Sequence, residues 1–522
     1  MKETVHGKQG KEKTSDKKKP CDIRPASVWR PQLQQAPQVR LKAAIVPKKI
    51  RIKKQSYRND AKIIGYYSKG LPHNALGEVK LSAYRAMIRA LKSGNPKAFE
   101  KIPLGGSVKL VNPQAAYASE PVGPDPRRLS MPAPPSFKSA WEASEMAEIY
   151  WQALTRDVPF AYYRTHKLTQ AAAADLSRFS DFRGPKKRGA VTAGTLFRGG
   201  VPGDLAGPYI SQFLWKPIPF GAKTVTQRYR TPVPGKDYMT KYGQWLAIQN
   251  GSAPAKPVAL DPIPRYIRNG RDMGEWVHRD FPYQGVLTAC LILLSFGPKA
   301  LDPANPYLKS RTQAGFVTFG NGHILDFVAR TARVALEAAW YQKWLVYRRL
   351  RPEEFGGRVH NHLTDAARYP INPELFRSKA LDRVHSKYGT FLLPQAYPEG
   401  CPTHPAYPSG HACFVGAGVT VLKAFFNESF VIPKPVEARA DGLALLPYTG
   451  PPLTVGGELN KLATNIAIGR DFAGIHWRTD AAEGIKLGEA MAIRTMRAYR
   501  PTYNESFAGF SLTKFDGTKI II

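Results

Sequence analysis

The longest unbroken apolar stretch of the chain, Gly285 to Phe296, sets the first limit on what it can fold into. A helix needs about 20 apolar residues to cross a bilayer, so this run is too short to span one and reads as a buried helix. Other helical segments are read at Leu81 to Leu91, Phe137 to Leu154, Tyr163 to Phe179, Tyr238 to Asn250, Met273 to Ser295, Ile324 to Leu350, Gly410 to Phe426 and His476 to Tyr499. A Gly- and Pro-rich passage from Gly184 to Gly235 is expected to drape over the surface. Strand signals are scarce, apart from Asp516-Gly517 between β-prone residues in Gly509 to Ile522, which suits a terminal hairpin. There is no internal repeat. The expected class is all-α: a large helical-bundle domain with long Pro/Gly-rich loops and a small C-terminal β-hairpin.

Charge is the unusual bulk property. Lys and Arg total 76 against 40 Asp and Glu, a formal net charge of +36. Such a balance fits a protein that handles anions, whether nucleic acid, an anionic surface or a small inorganic oxyanion, and does not choose among them. Residues 1–60 hold 17 Lys or Arg and five acidic residues, with prolines and little apolar periodicity. They read as a basic extended or disordered arm ahead of a helical domain over 61–522, whose active-site half covers about 315–500. No helix-turn-helix, zinc-finger or aromatic RNA-binding motif follows the arm, which disfavours nucleic acid as the partner. The four cysteines, Cys21, Cys290, Cys401 and Cys413, include no CxxC pair, which argues against a disulfide framework or a cysteine zinc site. With neither an apolar signal core nor a spanning segment, a soluble protein is expected and its localisation is left open.

Chemistry concentrates in three separated segments. The first holds Lys343 and Arg351, with Pro352 next. Proline disfavours helical geometry at the residue before it, so the helix should end near Arg351. Eight residues put the two cations about 80° out of register on an ideal helix, and a change of direction before Pro352 would bring their heads together. The second is His404-Pro-Ala-Tyr-Pro408-Ser409-Gly410-His411, just ahead of a strongly apolar helix. Free N–H groups at a helix start, a serine hydroxyl and a glycine that admits close approach can all serve an anion. The third holds Arg470, His476 and Asp480. His476 and Asp480 are i and i+4, so the carboxylate can take one imidazole N–H and leave the other nitrogen free for a ligand. Taken singly, each segment has an ordinary explanation: a basic helix end, a serine cap, a surface His–Asp pair. Together they form a donor set for a tetrahedral or trigonal-bipyramidal oxyanion.

The pattern of Lys and Arg-Pro, then Pro-Ser-Gly-His, then Arg, five residues, His, three residues, Asp resembles the superfamily that joins vanadium haloperoxidases to type-2 phosphatidic acid phosphatases. Seven residues between Lys343 and Arg351, the stretches Gln342 to Gly357 and Leu459 to Trp477, and Gly70-Leu-Pro-His73 resemble bacterial and algal bromoperoxidases. So does His404, seven residues before His411, where chloroperoxidases of fungal type carry an aromatic residue. The resemblance covers most of residues 60–500. It implies vanadate as cofactor, with no haem or flavin, and oxidation of bromide or iodide by hydrogen peroxide to hypohalous acid, which halogenates an organic acceptor. By the same carry-over His476 binds vanadium, with Asp480 behind it. Lys343, Arg351, Ser409, Gly410, His411 and Arg470 hold the vanadate oxygens. His411 is the acid or base, Lys343 polarises the peroxide, and His404 belongs to the reaction pocket. A homo-oligomer, dimer or larger, and no membrane are implied as well. The competing reading is a soluble acid phosphatase with a phosphohistidine at His476.

Overall fold

The structure, a computed structural model, describes residues 63–118, 120 and 124–522, so the basic arm expected over 1–60 lies outside the described residues. Helices of eight residues or more are α1 (Leu81–Ser93), α2 (Ala140–Thr155), α3 (Lys167–Leu176), α4 (Tyr242–Gln249), α5 (Gly270–Arg279), α6 (Gln284–Ser295), α7 (Asn321–Tyr341), α8 (Pro352–Leu363), α9 (Lys379–Tyr388), α10 (Gly410–Phe425), α11 (Val455–Phe472) and α12 (Arg478–Tyr499). Strands occur as separate two-stranded antiparallel pairs, among them Ser511–Thr513 with Lys519–Ile521 at the C-terminal end, the hairpin expected there. The architecture is all-α, and no described helix is long and apolar enough to cross a membrane.

Helix α10 is buried at every position but His411, as its apolar sequence requires, and packs against α7, α11 and α12. Its approach to α12 is close enough to depend on glycine. A Cβ on Gly416 would lie 2.4 Å from the Ile485 carbonyl oxygen, and one on Gly488 would lie 2.1 Å from that of Cys413. The tight crossing brings the two helix starts together, and the Ser409 N–H donates to the Asp480 carbonyl at 3.0 Å. Helix α2 adds buried glutamates at i, i+3 and i+6. Glu145 accepts from the Thr479 N–H at 2.9 Å, and Glu148 accepts from Arg478 Nε at 2.7 Å, so α2 clamps the beginning of α12.

Three expectations are corrected. The passage Gly184 to Gly235 is not merely draped over the surface, since Leu196, Phe197, Ile210, Phe213, Leu214 and Trp215 are buried. Polar residues of α11 hold it down: Asn465 accepts from the Ser211 N–H and Glu458 from the Gln212 N–H, each at 2.8 Å. The helix read from Met273 to Ser295 is two helices, broken at Asp280, where the backbone turns extended (φ −62, ψ 147) ahead of Pro282. The helix read through Leu350 gives way at Gln342 to a π-helical turn reaching Tyr347, and Arg348 then takes a left-handed conformation (φ 50). Arg351 is therefore the residue that introduces α8, not the end of the helix before it.

Candidate active site

Three helix starts meet here. Arg351 precedes Pro352 at the head of α8, and Glu354 in the first turn accepts the Arg351 N–H at 2.9 Å. Ser409 caps α10, its hydroxyl 3.4 Å from the Ala412 N–H. At the head of α12, Asp480 accepts the Trp477 N–H at 3.2 Å. An acid in the first turn that reaches back to the residue before the helix supplies half of a capping box at two of these starts. Lys343 arrives from the π-helical turn and Arg470 from the last turn of α11.

The side chains converge. Arg351 donates through Nε to the His404 carbonyl at 2.9 Å and through one terminal nitrogen to the Ile475 carbonyl at 3.0 Å. That same nitrogen lies 3.0 Å from His476 Nε2. An arginine only donates, so Nε2 is the accepting nitrogen of His476, and Nδ1, 2.8 Å from Asp480, is its N–H. This leaves a lone pair on the nitrogen that faces the cage. His404 Nδ1 sits between the other Arg351 nitrogen, at 3.0 Å, and the Pro405 carbonyl, at 3.1 Å, and can serve only one at a time. Its ring leans on Trp340, with centroids 5.0 Å apart. Lys343 Nζ donates to the carbonyls of Pro405 and Ala406 at 2.8 and 2.7 Å. Arg470 donates to the Val277 carbonyl at 2.8 Å. Lys343, Arg351, Ser409, His476 and Asp480 are fully or almost fully buried, whereas the His411 side chain keeps 23% of its exposure.

The electrostatics are one-sided. Lys343, Arg351 and Arg470 are buried, and among the described residues none of them forms an ion pair. Burial and the Arg351 guanidinium push the Lys343 ammonium well below its ordinary pKa. Burial, then Arg351, Lys343 and Arg470, push His476 well below the usual imidazole value, and burial with Arg351 and Lys343 does the same to His404. Both rings are thus neutral with their lone pairs intact. Arg470 Nε is buried with no hydrogen-bond partner. Three cations in one another's field, one of them with an orphaned donor, fit a multiply charged oxyanion, and His476 Nε2 would fit as a ligand to its central atom.

Several residues of the site were not read from sequence. Asp280 lies 2.9 Å from His411 Nε2, and its other oxygen is buried without a partner. The signal for it was Pro282, which breaks the helix and turns Asp280 toward α10. Arg349 donates to Asp480 at 2.9 Å and orders the carboxylate behind His476. Tyr397 lies beside Arg470. The remaining histidines near these segments make structural contacts: His323 accepts from the Phe319 N–H, His360 from Phe391 and His362 from Tyr369. Cys401 and Cys413 are buried free thiols whose pKa burial raises, that of Cys413 to about 12, so neither is a ready nucleophile.

The vanadium-dependent bromoperoxidase of Ascophyllum nodosum is 37% identical to this chain over 480 residues, covering 87% of this chain and 86% of that protein. The chain belongs to the vanadium-dependent bromoperoxidase family. The vanadium-dependent bromoperoxidase of Corallina officinalis is 34% identical over 580 residues, covering 93% of this chain and 96% of its own length. Among solved structures, the homohexameric second vanadate-dependent bromoperoxidase of Ascophyllum nodosum superposes with a TM-score of 0.87 at 29% identity, covering 98% of this chain and 94% of that one. A family model described as the VCPO second helical-bundle domain matches residues 374–505. That span carries His404, Ser409, Gly410, His411, Arg470, His476 and Asp480, while Lys343 and Arg351 lie outside it.

Proposed function

We propose that this bromoperoxidase-family chain oxidises halide with hydrogen peroxide in a vanadate-dependent reaction. The observation that carries this reading is the set of three buried basic side chains, none with an ion-pair partner among the described residues, around an imidazole whose accepting nitrogen is turned toward them and meets only an Arg351 N–H. Bound vanadate would supply a Lewis acid that activates peroxide toward halide without changing its own oxidation state. His476 would be the ligand to vanadium, its Nδ1–H fixed by Asp480 so that Nε2 stays aimed at the cage. Lys343, Arg351, Arg470, the Ser409 hydroxyl and the Gly410 N–H would hold the oxygens.

Net consumption is one halide, one peroxide and one proton, giving hypohalous acid and water, so the site needs a proton donor. His411 fits that need, being the site histidine with the most solvent contact and having a carboxylate at Nε2 that fixes its ring. Lys343, with two of its donor directions spent on carbonyls, would have its remaining capacity for polarising peroxide. His404 keeps the pocket polar, which suits bromide and iodide over chloride. We further take the chain to be a homo-oligomer, as its homohexameric relative is.

The test is halide oxidation by the purified chain, stripped of metal, with and without orthovanadate and with each halide in turn. Activity restored by vanadate, with bromide turnover well above chloride, is expected. Activity indifferent to vanadate would overturn the reading, and chloride turnover equal to bromide would overturn the halide preference.

A further inference from the structure

Arg470 differs from the other two cage cations in what holds it. Lys343 is tied to backbone carbonyls, and Arg351 to carbonyls and imidazoles. Arg470 has the Val277 carbonyl and the face of Tyr397: its guanidinium carbon lies 5.5 Å from that ring centroid, with one terminal nitrogen 3.5 Å from the phenol oxygen. Tyr397 is itself pinned twice. Its hydroxyl donates to the Gly274 carbonyl, and its ring is stacked on His278 with centroids 3.8 Å apart and planes 9° from parallel. The nitrogens of His278 meet Glu399 at 2.6 Å and Glu275 at 3.1 Å. Carboxylates only accept, so both nitrogens donate and the ring is an imidazolium. Against the effect of burial, these two hydrogen bonds hold His278 above its ordinary value.

The negative face of one buried tyrosine is thus shared between two cations. A carboxylate in its place would grip Arg470 more strongly but would cancel the charge that an oxyanion needs. A π face and a carbonyl orient the guanidinium and leave that charge unspent.

Resting on the vanadate reading above, we propose that Tyr397, braced by the His278–Glu275–Glu399 clip, is a positioning residue that aims Arg470 at the bound oxyanion without neutralising it. The phenol oxygen is secondary, at 3.5 Å from Arg470. The flat ring is the part that matters.

The experiment is equilibrium dialysis of orthovanadate, and separately of inorganic phosphate, against the stripped full chain. Wild type, Tyr397→Phe, Tyr397→Leu and His278→Leu are compared, alongside thermal melts and bromide turnover at saturating vanadate. Tyr397→Phe keeps the ring and should bind both anions within about threefold of wild type. Tyr397→Leu should raise both dissociation constants by about tenfold or more, and His278→Leu by about threefold or more. If Tyr397→Leu fails to fold, His278→Leu carries the test, since His278 is only partly buried. Leucine variants that bind both anions like wild type would overturn the proposal, as would a Tyr397→Phe as weak as Tyr397→Leu. A drop in kcat with binding unchanged would overturn it too. Failure of the wild type to bind vanadate would instead bring down the function on which the proposal rests.

Discussion

Arg349 and Arg351 stand two residues apart and are equally buried, yet the protein surrounds them in opposite ways. Arg349 meets three carboxylates, those of Glu142, Glu145 and Asp480, and lies 4.5 Å over the Trp477 ring. Arg351 meets carbonyls and neutral imidazoles. Other buried arginines follow the first pattern: Arg271 pairs with Asp157 and Asp237, and Arg478 with Glu148. Carbonyls alone do not mark a site, since Arg358 is held by those of Leu76 and Gly77. What marks the cage is three such cations acting on one another and on His476. Leaving a buried ion unbalanced costs several kcal/mol, so three such side chains in one place suit an anion. The Arg349 cluster carries its own counter-charges, whereas the cage has none among the described residues.

That contrast is broken most completely at His476. Every other cage contact is a hydrogen bond or a charge, so His476→Ala should abolish vanadium retention, measured as metal content after gel filtration; stoichiometric vanadium in the variant would refute the assignment. Next in size is Arg349→Met. It removes the cation from among three buried carboxylates and should lower stability by about 3–5 kcal/mol in urea unfolding, the usual cost of breaking a buried pair. A loss below about 1 kcal/mol would mean that the cluster is not held by Arg349.

How much of this was legible in the sequence depended on the range of each contact. His476 and Asp480 sit one helical turn apart, and Pro408-Ser409-Gly410 announces a helix start, so local spacing alone brought those groups together. The all-α class followed from helical periodicity and sparse strand signals. The bend between Lys343 and Arg351 was foreseen only as a need. Its form, a π-helical turn, belongs to a segment whose Trp344 and Leu345 pack into the cluster around α1, a tertiary cause that periodicity does not carry. Asp280 meets His411 across 131 residues, Tyr397 meets Arg470 across 73 and Glu145 meets Arg349 across 204; Pro282 marks the break at Asp280, but no local pattern marks any of these pairings.

Ser409 sharpens the comparison at smaller scale. Its hydroxyl oxygen accepts the Ala412 N–H weakly, at 3.4 Å, which uses a lone pair and leaves the O–H able to donate to an anion. Ser409→Ala should therefore weaken vanadate binding by about 1.5–3 kcal/mol, the range for one hydrogen bond to a charged group, with little change in melting temperature. Equal vanadate affinity in the variant and the wild type would show that the serine serves the helix alone.

The smallest expected effect lies on the Arg349 side of the comparison. One cation among three carboxylates leaves excess negative charge, and burial, reinforced by Glu145 and Asp480 against the pull of Arg349, pushes the Glu142 carboxyl up to about 8. An exposed glutamate in the unfolded chain titrates near about 4.3, so between roughly pH 4.5 and pH 8 the folded state binds a proton that the unfolded state has released. Stability contributed by that proton is present in full below the unfolded value and is lost as pH rises through this window. Glu142→Gln keeps the shape and an acceptor for Arg349 but cannot titrate. Its stability should fall less than that of the wild type between pH 5 and pH 8, by about 1 kcal/mol, because the remaining carboxylates can still share part of the proton load. Denaturant unfolding at both pH values reads this directly. Parallel pH dependence in the two proteins would mean that Glu142 is ionised throughout. The Arg349 cluster would then carry the same kind of charge imbalance as the cage, with the sign reversed.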